Sequence, residues 1–212
     1  MGELAAGLHR LERPAAGEPV GALVLLHGRG ADEHDLFPVL DILDPERRLL
    51  GVTPRGPLHL PPGGAHWYRL GGIPTPDPET FRASYEQLGE LLDGLPFGPE
   101  RVVLGGFSQG AVMSYALALG QSRSRPAALV ALSGFVPRAP DFSLDLDGLD
   151  GYRVAIAHGT LDPVIPHAFG EEARDLLQGA GADVLWRATP VGHTIDSRIV
   201  RDLAAFVRAA LP

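Results

Sequence analysis

A chain of 212 residues with 45% apolar and 21% charged side chains has the composition of a globular domain with room for a substantial core, which excludes a disordered chain. The balance of 18 basic against 26 acidic residues, a formal charge of −8, argues against general binding to a nucleic-acid backbone. Cysteine is absent, which excludes disulfides, thiolate nucleophiles and Cys-ligated metals; lysine is absent too, all 18 basic residues being arginine, which excludes a P-loop lysine, a side-chain Schiff base and a Ser–Lys dyad.

In chain order, Met1 to Pro14 carries Glu3 early and has no apolar core of signal-peptide length, which predicts a cytoplasmic protein. Leu8–Arg13 is read as an edge strand, and Ala22–Leu26 and Leu49–Val52 as buried strands. Gly56 to Pro78, rich in Pro and Gly, is read as a long loop. Phe81, Tyr85, Leu88 and Leu92 step by helical spacing, and the strand Arg101–Leu104 follows. A small-residue helix begins near Gln109, and the strand Ala128–Leu132 comes next. The longest uncharged apolar run, Pro126 to Leu132, falls far short of the roughly 18 residues a membrane span needs. Phe135 to Gly151 is a second long loop, and Arg153–Ala157 the next strand. Phe169, Ala173, Leu176 and Leu177 share one helical face. After the strand Asp183–Trp186, Ile195, Ile199, Leu203, Phe206, Val207 and Ala210 line a last helix.

The strands are near-continuous Val, Leu, Ile and Ala, not alternating, as expected where both faces of a parallel sheet are covered. Strands alternating with helices predict one α/β domain over residues 1–212, a doubly wound, mostly parallel sheet with helices on both faces and no cap domain. In such sheets ligands sit at the carboxyl ends of the strands, so the residues just after each strand carry the functional information.

After Arg101–Leu104 comes Gly105-Gly106-Phe107-Ser108-Gln109-Gly110-Ala111, which contains Gly106-x-Ser108-x-Gly110. A serine at the tip of a sharp strand-to-helix turn exposes its Oγ, and glycines on either side remove side chains that would collide across the turn. The N-terminus of the following helix favours a developing oxyanion. After Ala22–Leu26 comes His27-Gly28-Arg29-Gly30-Ala31-Asp32, where glycines let main-chain N–H groups approach a substrate oxygen. The matching reading is an oxyanion hole from the backbone N–H groups of Arg29 and Gln109. His27 is read as bracing this loop, with a metal site of His27, Asp32 and His34 as a weaker alternative. Asp162 follows the strand Arg153–Ala157 and is either an orienting carboxylate or a turn residue before Pro163. His193 follows Asp183–Trp186 and precedes the last helix. The order Ser108, Asp162, His193 is that of an α/β-hydrolase catalytic triad.

The stretches Leu25-Leu26-His27-Gly28-Arg29-Gly30-Ala31-Asp32, Gly105 to Ala111, Leu132-Ser133-Gly134-Phe135, His158-Gly159-Thr160-x-Asp162-x-Val164-Ile165-Pro166 and Gly192-His193-x-Ile195 together resemble the phospholipase/carboxylesterase family of α/β-hydrolases. That family includes bacterial carboxylesterases and acyl-protein thioesterases. The resemblance implies a serine hydrolase cleaving esters or thioesters of short to medium acyl chains, with Ser108, Asp162 and His193 as catalytic residues and Arg29 and Gln109 as oxyanion donors. It implies that Trp67 and Phe135 line the acyl side of the cleft, and that no metal or organic cofactor is needed. Lysophospholipase or acyl-protein thioesterase activity is the alternative, and a non-catalytic binding protein on the same fold the reading from another class. Arg29 departs from the leucine common at this place in the eukaryotic thioesterases. The expected partner is a small ester or thioester, with neither nucleic acid nor stable membrane insertion; apolar strand edges would permit a homodimer. Asp141, Asp145, Asp147 and Asp150 make the loop Phe135 to Gly151 too polar for a lid, and the apolar residues of Gly56 to Pro78 are scattered, so an open site is expected.

Overall fold

The apolar runs assemble side by side into the middle of one sheet. The structure is a computed structural model that describes residues 7–121 and 123–211. Its strands are β1 (Arg10–Arg13), β2 (Ala22–Leu26), β3 (Leu50–Pro54), β4 (Leu58–Leu60), β5 (Gly64–His66), β6 (Val102–Phe107), β7 (Ala128–Leu132), β8 (Arg153–Gly159) and β9 (Asp183–Thr189). Seven of them form a sheet in the order β1-β3-β2-β6-β7-β8-β9. Only β1 is antiparallel within it, on the outer side of β3. The expected edge strand therefore exists, two residues shorter than predicted.

Helices α1 (Phe37–Leu43), α2 (Pro78–Asp93), α3 (Gln109–Leu119), α4 (Ala168–Gly179) and α5 (Val200–Ala210) connect the strands. Along β2, Ala22, Val24 and Leu26 pack with Phe81 and Leu88 of α2 and Val112 of α3. Leu23 and Leu25 pack on the opposite face with Leu40 of α1 and Leu203 and Phe206 of α5. Every residue of β2 and β7 is buried, which explains the absence of alternation in their sequences. Helix α3 is buried along its whole length, as its small, apolar composition requires. Asp77 caps α2 by accepting from Thr80 N–H (3.0 Å), and Pro78 opens its first turn.

Three features depart from the predicted elements. First, β6, β8 and β9 run on to Phe107, Gly159 and Thr189, beyond the apolar runs, because a ladder needs only backbone groups and continues through Gly105-Gly106 and His158-Gly159. Second, the last helix does not start at Ile195: Asp196 accepts from Arg198 N–H and starts a 3₁₀ turn over Ser197–Ile199, from which α5 continues. Third, α1 and the β4–β5 hairpin are additional. The helix spans seven residues and buries only Leu40 and Leu43, too few positions for a periodic signal. The hairpin lies inside the predicted loop Gly56 to Pro78. It is held on the segment after β2 by Gly30 N–H to Ala65 O (2.8 Å) and Ala65 N–H to Ala31 O (2.7 Å). Among the described residues no helix is long and apolar enough to cross a membrane.

Candidate active site

Ser108 sits between β6 and α3 with φ 55° and ψ −119°, a conformation that costs on the order of 1–3 kcal/mol and persists only where packing imposes it. The packing is visible in the glycines. A Cβ on Gly106 would lie 2.4 Å from Gly110 C, and one on Gly110 would lie 1.9 Å from Leu26 O. The turn thus closes on itself and on the end of β2, with no space for a side chain at either position. Ser108 N–H donates to Leu132 O (2.9 Å), anchoring the turn to β7.

The loops after β8 and β9 approach each other as closely. A Cβ on Gly159 would meet Gly192 O at 2.3 Å and Val191 O at 2.4 Å. Thr160 N–H donates to Thr189 O (2.8 Å) and Leu161 N–H to Val191 O (3.1 Å). These contacts bring Asp162 and His193 together. His193 Nδ1 lies 2.6 Å from Asp162 Oδ2, and its Nε2 lies 2.9 Å from Ser108 Oγ. The other Asp162 oxygen, Oδ1, accepts from Val164 N–H (2.8 Å) and Ile165 N–H (2.9 Å). Asp162 thus bonds to its own turn through one oxygen and to the His193 imidazole through the other. Burial works against its charge, but the bonds from His193, Ile165 and Val164 prevail and hold the carboxyl below the ordinary Asp range. The Phe107 ring packs on His193 with centroids 4.8 Å apart.

Gly28 sits against the turn, where a Cβ would lie 3.4 Å from Ser108 Cβ, and the next residue, Arg29, lines the same cavity as Ser108. Among the described residues neither Arg29 N–H nor Gln109 N–H has a protein acceptor, which leaves both donors free for a ligand oxygen. His27 braces this loop: its Nε2 accepts from Gly56 N–H (2.9 Å) and its Nδ1 lies 2.7 Å from Gly28 O. With both ring nitrogens so engaged, His27 cannot join Asp32 and His34 around a metal, and the described residues contain no cluster of three such ligands.

A cavity of about 470 Å³ opens on Ser108 and His193. Phe135 lines it, packed on Phe169 with centroids 6.0 Å apart. Trp67 does not, and its predicted place is corrected by the structure. Its side chain is fully buried, its Nε1–H donates to His27 O (2.8 Å), and its ring lies against His27 (4.9 Å). The neighbouring residue, Tyr68, lines the cavity instead, itself buried and packed edge-on against Phe81; an aromatic pair in sequence does not say which member meets the cavity. Leu70, Ile73, Val164 and Ile165 complete the apolar wall. Leu70 and Ile73 are the residues that look scattered in sequence; both are exposed and both stand at the cavity. The side chain of Gln109 is a further unpredicted feature. Its Oε1 accepts from Trp67 N–H (3.1 Å) and its Nε2 donates to Tyr68 O (2.9 Å), so it clamps the wall segment to the start of α3. A lone amide at the start of an otherwise apolar helix was the available signal.

The model of the phospholipase/carboxylesterase family matches residues 13–211. The chain belongs to this family. It is 29% identical to acyl-protein thioesterase 1 of Gibberella zeae, over 94% of both chains. To acyl-protein thioesterase 1 of Candida albicans it is 28% identical, over 92% of this chain and 94% of the other. The crystal structure of the Bacillus cereus carboxylesterase superposes with a TM-score of 0.84 at 27% identity, covering 98% of this chain and 96% of that one. The fold is that of the α/β-hydrolases.

Substitution at the turn should be costly in a graded way. Gly110→Ala forces a Cβ into Leu26 O and should lower unfolding stability by about 3 kcal/mol or abolish folding. Gly63→Ala, with no atom within 4 Å of the new Cβ, should change it by less than about 0.5 kcal/mol. Denaturant titration of both variants is the check, and equal stability would contradict the packing described.

Stability should also depend on pH. Burial depresses the pKa of His27, His66 and His158, outweighing the hydrogen bonds that favour their charged forms. His158 Nε2 lies 2.9 Å from Ile165 O, and its Nδ1 is buried without a partner. These rings bind protons more readily unfolded than folded. Their contribution is complete above the unfolded value of about 6.5 and is lost as pH falls below it toward the depressed folded values. The melting temperature should therefore decline between about pH 7 and 5; a flat calorimetric profile over that range would contradict it.

Proposed function

We propose that this protein is a carboxylic ester hydrolase of the serine type, acting on esters or thioesters with short to medium acyl chains. The observation that carries the reading is the continuous hydrogen-bonded series from Ser108 Oγ through His193 to Asp162, 2.9 Å and 2.6 Å long, opening on an apolar cavity beside two unpaired main-chain N–H groups.

In this reading His193 is neutral, with its proton on Nδ1 directed at Asp162 and Nε2 free to accept from Ser108 Oγ. As Oγ attacks the acyl carbon, its proton passes to His193 Nε2, and buried Asp162 stabilises the imidazolium. The carbonyl oxygen becomes an oxyanion that accepts from the N–H groups of Arg29 and Gln109. Collapse expels the alkoxide or thiolate, which takes the proton from Nε2. Water then repeats the sequence on the acyl-enzyme: His193 removes its proton, oxygen adds to the acyl carbon, and Ser108 leaves reprotonated. The acyl chain fits along Phe135, Tyr68, Ile165 and Val164, the apolar residues that line the cavity. The names of the relatives favour thioesters and the Bacillus cereus neighbour favours oxygen esters; the same steps serve both.

Ser108→Ala should lower kcat on the order of 10⁴-fold or more, and His193→Ala by a similar factor because the two act as one unit. His167→Ala, which touches none of the three residues, should stay within about tenfold of wild type. A fluorophosphonate probe should label the wild type and not Ser108→Ala. An unlabelled wild type would favour a binding protein on the hydrolase fold.

The aromatic pair should divide in function. Phe135→Ala should change the ratio of kcat/KM for butyrate and octanoate esters by roughly five- to tenfold. Trp67→Phe should leave that ratio within about twofold and instead cost about 1–3 kcal/mol of stability, since His27 O loses its buried donor. A specificity change in the Trp67 variant without loss of stability would reverse the assignment.

A further inference from the structure

Arg29 holds two positions at once. It follows Gly28, which is pressed on the serine turn, and it lines the same cavity as Ser108. The other lining residues include no further arginine and no carboxylate: beside Ser108 and His193 the wall is Tyr68, Leu70, Phe135 and their apolar neighbours, with glycine and amide groups.

Most arginines of the molecule have a side-chain partner within it; among the described residues Arg29, like Arg69, Arg82 and Arg201, has none. Arg13, Arg55, Arg123 and Arg187 each hold a carboxylate, as an excess of acidic side chains would lead one to expect. The acids nearest to Arg29 in sequence, Asp32 and Glu33, are both taken by Arg55, at 3.4 Å and 2.9 Å. Arg29 is exposed, and among the described residues its side chain has neither an ion pair nor a hydrogen bond. Its positive field, with that of Arg69, reaches His66 on β5 and opposes protonation there. A solvated surface arginine would also lack partners. This one differs in that its backbone is fixed against the reacting serine: Gly30 N–H and Ala65 N–H tie the segment to β5, and Gly28 is pressed on Phe107 and Ser108. A ligand group held by this guanidinium would belong to a molecule in the same cavity as Ser108.

We propose that Arg29 is the recognition site for an anionic oxygen group, a carboxylate or phosphate, carried by the ester itself. This inference rests on the hydrolase reading above and gives it a substrate class: an amphiphilic ester with an apolar portion along Phe135 and Ile73 and a negative charge near the reacting carbonyl. A guanidinium presents a planar fork of donors that matches carboxylate and phosphate oxygens two at a time. The surrounding wall has no carboxylate to compete for it. Recognition of this kind sorts substrates by charge, while chain length is sorted by the apolar wall.

The test uses two pairs of esters that differ only in charge. In methyl hydrogen glutarate and its primary amide the variable group is on the acyl portion. In carboxymethyl butyrate and carbamoylmethyl butyrate it is on the leaving group. Wild-type kcat/KM should favour the anionic member of at least one pair by roughly tenfold, the size of a charge-assisted hydrogen bond at a half-open site, and the preference should shrink as salt is added. The pair that responds identifies the side of the scissile bond that faces Arg29. Arg29→Met should bring the ratio to about one, and Arg29→Lys, which keeps the charge without the fork, should retain part of it. Because each ratio is taken within one variant, a loss of folded protein cancels. Ratios near one in both wild-type pairs, or a preference that survives in Arg29→Met, would overturn the assignment while leaving the hydrolase reading intact. Failure to turn over any of the four esters would overturn both.

Discussion

The first turn of α3 lies against the carboxyl end of β2 so closely that a Cβ on Gly110 would stand 1.9 Å from Leu26 O. The other parts of the site take their positions from this main-chain contact. It holds Ser108 at a positive φ, aims the N-terminus of α3 at the serine, and sets the Gly28–Arg29 segment alongside. The conformational cost at Ser108 is met by burial of α3 along its whole length. A central helix of small side chains is the only kind that can approach a sheet at this distance.

Around that contact a second layer of polar bonds fixes the cavity wall. Gln109 reaches from α3 to both Trp67 and Tyr68, Trp67 reaches to His27 O, and Ser84 of α2 donates to Trp67 O. The long segment between β3 and α2 is thereby tied to the serine turn and to the loop after β2 by buried bonds, each expensive to break without replacement. Trp67 contributes to the site from beneath, where its Nε1–H donates to His27 O of the loop that carries Arg29.

Electrostatics divide the molecule in the same manner. Buried histidines at 27, 66 and 158 are kept neutral by desolvation and act as hydrogen-bonding spacers, while Asp162 keeps its charge because three donors converge on it. His158 lies behind Asp162, with Nε2 3.6 Å from Oδ2, and a Cβ on Gly170 would meet its Nδ1 at 2.6 Å. Close packing of α4 on this ring fixes the floor under the carboxylate.

The strands, their parallel arrangement and the positions of Ser108, Asp162 and His193 were legible in the sequence because each depends on short-range rules. Runs such as Ala22–Leu26 must be buried on both faces, Gly106 and Gly110 are dictated by a tight turn, and functional residues in open α/β sheets gather where strands end. The β4–β5 hairpin and α1 were not legible. Three-residue strands and a seven-residue helix carry too little periodicity, and both are stabilised by what they pack against. The same holds at the cavity. Only the tertiary structure decides that Tyr68 and not Trp67 lines the cavity, that Leu70 and Ile73 meet Val164 from a segment remote in sequence, and that Asp32 and Glu33 are already occupied by Arg55. Residue type and spacing specify which groups a turn can hold. Which neighbour remains unpaired depends on distances between segments remote in sequence, and only the folded chain determines those.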